Sequence, residues 1–221
     1  MIEAHARHNA TPTWSVKWSP APSAGRSLGS VRCFVAVWPS AEVIAALAAL
    51  PRPRVERLRW STQDQWHVTL RFFGELDPAQ VEAASAALTQ VAASLPDDLT
   101  AKGGPATKFL GPGLVVWPVE GLRPAAGPVE QATAHIGQPV ADRPFRGHVT
   151  VARGARGADL RRAAHLLSPL SASWRVGSLS LVHSQLSSGG ARYQDIYTFP
   201  LGLRPPAGSP TSSSGRPRAT S

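Results

Sequence analysis

The chain has one cysteine, Cys33, among its 221 residues. That excludes a disulfide framework and any cysteine-based zinc site, and it suits a reducing cytoplasm. No apolar run approaches the roughly 20 residues that span a bilayer. The N-terminus lacks the continuous apolar stretch of a signal peptide. A cytoplasmic protein without membrane attachment is expected. Gly103-Gly104 and Gly111-Pro112-Gly113 lack the Lys-Ser/Thr ending of a phosphate-binding loop. No Cys/His/carboxylate cluster has metal-ligand spacing, so neither metal nor cofactor is expected. Acids are scarce: 14 Asp and Glu stand against 23 Lys and Arg, for a net charge of +9. The excess is uneven, with +2 in residues 1–30, +3 in 204–221 and +4 in 31–203. A mildly basic central region suits a polyanionic ligand.

Residues 1–30 and 204–221 are rich in Pro, Ser, Gly and Ala and show no periodicity. They are expected to be a disordered extension, with Trp14 and Trp18 as its unusual members, and a disordered tail. Between them, strands and helices interleave. Strands are expected at Val31–Trp38, Leu58–Trp60, His67–Phe73 (closed by Gly74), within Leu99–Phe109, Leu114–Pro118, His148–Arg153, Val176–Ser187 and Tyr193–Leu201. Helices are expected at Ala41–Leu50 behind Ser40, from Asp77-Pro78 to about Leu95, from Pro124 or Val129 to His135, and at Ala158–Leu167.

What stands out is a repeat. His67-Val68-Thr69-Leu70 and His148-Val149-Thr150-Val151 both read His, apolar, Thr, apolar. With seven His and twelve Thr in the chain, chance supplies about 0.07 such patterns, so two are not an accident of composition. Successive side chains on a strand alternate faces, which puts each His and Thr together on one face. The spacing of 81 residues is too long for a solenoid. It fits one motif strand in each of two α+β lobes related by a pseudo-twofold axis, each lobe an antiparallel sheet with helices outside, enclosing a central cleft. Two histidines and two hydroxyls around one small space supply what phosphodiester cleavage without a metal needs.

The chain resembles the 2H phosphoesterase superfamily, and most of all its RNA 2′,3′-cyclic phosphodiesterases, often called 2′-5′ RNA ligases. The resemblance rests on both motifs and on Val31–Val37, on Leu58-Arg59-Trp60, on Trp66–Gly74, on Leu114–Pro118 and on Arg143–Arg153. It covers roughly residues 31–203 and neither tail. One departure is Gly147, where the family usually has proline before the second histidine.

The resemblance implies a 2′,3′-cyclic phosphate between the motifs, on an RNA end or a nucleotide. His67 is then the general acid, His148 the general base, and the product a 2′-phosphate. Thr69 and Thr150 would hold the non-bridging oxygens, with Arg153 on the phosphate and Phe72 at the base. Strict alternation opposes two of these placements. It turns Arg153 away from His148, so the strand is expected to end or bend by Ala152. It also puts Phe72 with the core side chains, and Arg71 on the His67 face as a further anion contact. His5, His8, His135, His165 and His183 are given no role. Ligation of RNA ends by the same residues in reverse, and binding of RNA ends without turnover, are the competing functions. A monomer is expected.

Overall fold

The computed structural model describes residues 29–111, 113–154, 169–187 and 190–202. The expected helix over 158–167, the leader before residue 29 and the tail from 204 lie outside them. Among the described residues the strands are β1 (Val31–Val37), β2 (Leu58–Trp60), β3 (Val68–Leu76), β4 (Thr100–Gly103), β5 (Lys108–Leu110), β6 (Leu114–Glu120), β7 (His148–Gly154), β8 (Ala172–Arg175), β9 (Ser178–Ser187) and β10 (Gly190–Pro200). The helices are α1 (Ala41–Ala48), α2 (Pro78–Ser94) and α3 (Arg123–Ala132).

Local chemistry fixes the helix starts. The Ser40 hydroxyl accepts from the Val43 amide at 3.4 Å. Asp77 accepts from the Gln80 amide at 2.8 Å, and the Gln80 side chain accepts in return from the Asp77 amide at 3.1 Å. That capping box, with Pro78 at the first helical position, starts α2 where the sequence places it. Val81, Ala84, Leu88, Val91 and Ala92 then form its buried stripe.

The strands make one antiparallel sheet in the order β10-β9-β1-β3-β7-β6-β4-β8, with β2 added on β7 and β5 on β6. The two motif strands are central neighbours, joined at Val68↔Val149. The expected α+β fold of two antiparallel lobes is therefore present as two halves of one sheet. The chain is interleaved between them: after α2 it crosses to β4 in the second half, and β9 and β10 return to the first. No helix among the described residues is long and apolar enough to cross a membrane.

One face of the sheet carries the main core, with Cys33, Val35, Val37, Val68, Leu70, Phe73, Val149 and Val151 buried beneath the helices. The other face carries a small satellite cluster of Phe34, Ala36 and Val182, flanked by Trp38, Phe72 and Tyr193. The side chains of the candidate site stand on this second face.

Three irregularities decide which residues reach it. On β3 the pairing with β1 runs Ala36↔Thr69, Val35↔Arg71, Phe34↔Phe72, Cys33↔Gly74, so Leu70 and Phe73 are each one residue too many. On β7 the pairing with β6 passes from Val116↔Thr150 to Val115↔Ala152, which leaves Val151 as the extra residue. Each bulge reverses the alternation beyond it. Gly74 does not close β3, as the sequence suggested. It adopts φ +77° inside the strand, which continues to Leu76. Glycine makes that conformation available without strain.

Candidate active site

His67 stands immediately before β3, and His148 is the first residue of β7. The antiparallel register at Val68↔Val149 sets His67 across from Thr150 and Thr69 across from His148. The two motifs are thus related by the expected twofold. The histidines are also anchored alike. His67 Nδ1 lies 2.9 Å from the Gln65 carbonyl oxygen, and His148 Nδ1 lies 2.8 Å from that of Arg146. A carbonyl can only accept, so both Nδ1 atoms carry the proton. In the neutral rings Nε2 is then the lone-pair nitrogen, free to exchange protons with a ligand.

Their surroundings differ. Around His67 three aromatic rings close in: Phe34 at 4.7 Å, Tyr193 edge-on at 4.8 Å and Trp38 edge-on at 5.6 Å between centroids. Trp38 is itself fixed, its indole N–H 3.1 Å from both Ser180 Oγ and Asp195 Oδ1. Burial pushes the His67 imidazole down to about 4. The Gln65 carbonyl opposes this, while the positive charge of Arg153 and of His148 reinforces it.

A cavity of about 500 Å³ opens on the His67 side, lined by Arg32, Arg59, Thr69, Phe72, Arg153 and Tyr193 among others. A second, of about 460 Å³, opens on the His148 side and includes Thr69, Phe72, Arg143 and Arg146. Thr69 and Phe72 belong to both. Thr150, half-buried, lies two residues beyond His148, before the bulge.

Bulges account for the three positions where alternation misleads. Arg153 reaches the cleft because Val151 is the extra residue, so Val151 and Ala152 both turn into the core and Arg153 returns to the His148 face. The strand does not end at Ala152 but runs on to Gly154, and the bulge at Val151 supplies the expected bend. The extra Leu70 reverses the next pair. Phe72 joins Phe34 on the cleft face, with the Arg32 guanidinium 4.6 Å from its ring centroid. Arg71 turns to the core side instead and is only 5% exposed. Its guanidinium donates to the carbonyls of Phe72 at 3.1 Å, Pro139 at 3.3 Å, Ile136 at 3.3 Å and Gln138. The expectation that Arg71 shares the His67 face is corrected: it clamps the 136–139 segment to β3.

Gly147 also has a structural reason. A Cβ there would run into the Val119 carbonyl oxygen, while the Val119 amide donates to the Gly147 carbonyl at 2.9 Å. Backbone approaches backbone at this point, immediately before His148. Sequence reasoning missed Phe34, Trp38 and Tyr193 around His67, and Arg32 and Arg59 in the cavity. Arg59 lay in a segment already noted. The aromatic residues come from distant strands, and no local pattern connects them.

A sheet centred on two paired His-x-Thr strands, with each imidazole lining an arginine-bearing cavity, is consistent with the fold of a 2H phosphoesterase. The model of the 2′-5′ RNA ligase superfamily matches residues 36–187, and the chain belongs to that family. No protein of curated function matches it in sequence. Among solved structures it is similar to TT0787 of Thermus thermophilus, at 23% identity and a TM-score of 0.63, covering 77% of this chain and 98% of that one. It is also similar to E. coli LigT complexed with 3′-AMP (23% identity, TM-score 0.62, 79% and 99% covered). LigT complexed with NADP+ gives 24% identity, a TM-score of 0.62 and the same coverage. At these identities the likeness is one of fold.

Proposed function

We propose that the protein is an RNA 2′,3′-cyclic phosphodiesterase that hydrolyses a terminal 2′,3′-cyclic phosphate to a 2′-phosphate. The observation that carries this reading is the matched pair of histidines, each held through Nδ1 with Nε2 available, on adjoining strands beside Arg153. His148 Nε2 takes a proton from water as the water oxygen attacks phosphorus. The P–O3′ bond breaks, and O3′ receives the proton of His67 Nε2. Thr69, Thr150 and Arg153 hold the non-bridging oxygens as charge builds on them. Phe72 borders the base of the terminal nucleotide. Arg71 is left out of this assignment, because its guanidinium is taken up by backbone carbonyls.

His67 is neutral in the empty cleft near pH 7, given its value of about 4. An anionic phosphate beside Arg153 offsets the positive field of that guanidinium, so His67 takes up its proton together with the substrate. Two histidines supply both acid and base, so turnover is expected to persist in EDTA.

A second reading, joining of RNA ends through a 2′-5′ bond, is the same chemistry in reverse. The cavity of about 460 Å³ on the His148 side favours it. It carries Arg143 and Arg146 beside His148, which suits the phosphate backbone of a second RNA end supplying the alcohol nucleophile. One assay separates the possibilities. A cyclic-phosphate oligonucleotide is incubated with the protein, with and without a 5′-hydroxyl RNA. Opened ends support the first reading and joined ends the second, while protected ends that stay cyclic indicate binding alone.

A further inference from the structure

The three-residue strand β2 is short, yet it is built to present one side chain. Leu58 and Trp60 pack against the main core, and the Trp60 indole N–H bonds to the Pro53 carbonyl at 3.1 Å. Arg59, between them, turns to the opposite face and lines the cavity beside His67. Its partner across the β2–β7 ladder is Arg153. Like charges placed directly opposite each other on neighbouring strands destabilise a sheet. Arg32 lines the same cavity, and no acidic side chain does so among the described residues. The β9–β10 hairpin accommodates this arrangement: a Cβ at Gly190 would meet both terminal nitrogens of Arg59, at 2.5 and 2.9 Å. On the same wall Leu186 is left 71% exposed.

Two arginines opposed across the β2–β7 ladder and lining one cavity are suited to two adjacent anions. Resting on the reading above, in which Arg153 faces the reacting phosphate, we propose that Arg59 binds the next phosphate along the nucleotide chain, the one on the 5′ oxygen of the terminal nucleoside. The preferred substrate is then a nucleotide or RNA end carrying that second phosphate, rather than a bare nucleoside 2′,3′-cyclic phosphate. The guanidinium fork can make paired hydrogen bonds to it, which a lysine cannot reproduce.

The test compares a nucleoside 2′,3′-cyclic phosphate with the same compound bearing a 5′-phosphate. In the parent protein kcat/KM is expected to favour the 5′-phosphorylated compound by about ten-fold or more, the scale of one charge-assisted contact. In Arg59→Ala that ratio falls to about one, and in Arg59→Lys it lies between. In Arg143→Ala, which alters the cavity on the other side, the ratio is retained. Calorimetric binding of a nucleoside 3′,5′-bisphosphate against a nucleoside 3′-phosphate gives the same comparison without turnover. It therefore remains informative if the proposed reaction itself is not observed. A parent protein indifferent to the 5′-phosphate in both measurements overturns the proposal, as does a preference that survives Arg59→Ala.

Discussion

His67 and His148 make the same hydrogen bond, from Nδ1 to the carbonyl two residues upstream, but only His67 has Phe34, Trp38 and Tyr193 around its ring. Identical motifs are thereby given unlike environments. In the free protein the enclosure favours the neutral form of His67, so its proposed part as the acid requires the charge of bound phosphate to raise it.

The pH dependence follows from it. His67 starts from about 4 in the free protein. In the proposed reaction the singly protonated histidine pair is the active form, so kcat/KM should be bell-shaped with its acidic limb near that value. Bound phosphate raises the His67 value, so the acidic limb of kcat should lie at higher pH. Coincident limbs in the two profiles would count against proton uptake with substrate.

Removing part of the aromatic enclosure should release His67. In Tyr193→Leu the imidazole is expected to titrate closer to the ordinary histidine value of about 6.5, whereas Tyr193→Phe should stay near the parent. Proton NMR of the His67 ring in the free protein reads this directly. The depressed value also sets a stability window. The unfolded chain binds the proton more readily, so this contribution is fully present above pH ~6.5 and is lost as pH falls toward 4. Denaturant midpoints across that range should fall more steeply in the parent than in His67→Gln.

Much of the fold was legible because its signals are local. Ser40, Asp77-Pro78 and the β-branched runs place α1, α2 and most strands near their observed positions. The candidate site was legible as far as its repeated motif. Strict alternation failed at Arg71, Phe72 and Arg153, and for one reason: extra residues at Leu70 and Val151 shift the register. A bulge is settled by the neighbouring strand, and nothing in either motif announces it. Short β8 was missed. The Arg59–Arg153 opposition depends on pairing between segments about ninety residues apart and was equally invisible.

Arg71 should prove a framework residue. Arg71→Ala leaves four backbone carbonyls without their donor, three of them outside β3, and should cost roughly 3 kcal/mol or more. Chemical denaturation measures this. Loss of activity with stability unchanged would instead point to a direct part in catalysis.

Gly147→Ala should disturb His148 from behind. The added Cβ meets the Val119 carbonyl, so β6 and the 145–147 segment must separate. The expected result is a kcat lowered by about ten-fold or more, since small misplacements of a catalytic group are costly, with KM little changed. A fully active Gly147→Ala would show that the contact relaxes without moving the imidazole.

We propose that His67 and His148 cleave a cyclic phosphate by acid–base catalysis. The most direct test is ³¹P NMR of a cyclic-phosphate oligonucleotide incubated in EDTA with the parent protein, His67→Ala or His148→Ala. The parent should convert the cyclic signal to a 2′-phosphomonoester, and each variant should be slower by ~10²–10⁴-fold. A persistent cyclic signal with the parent, or undiminished conversion by either variant, would contradict the account.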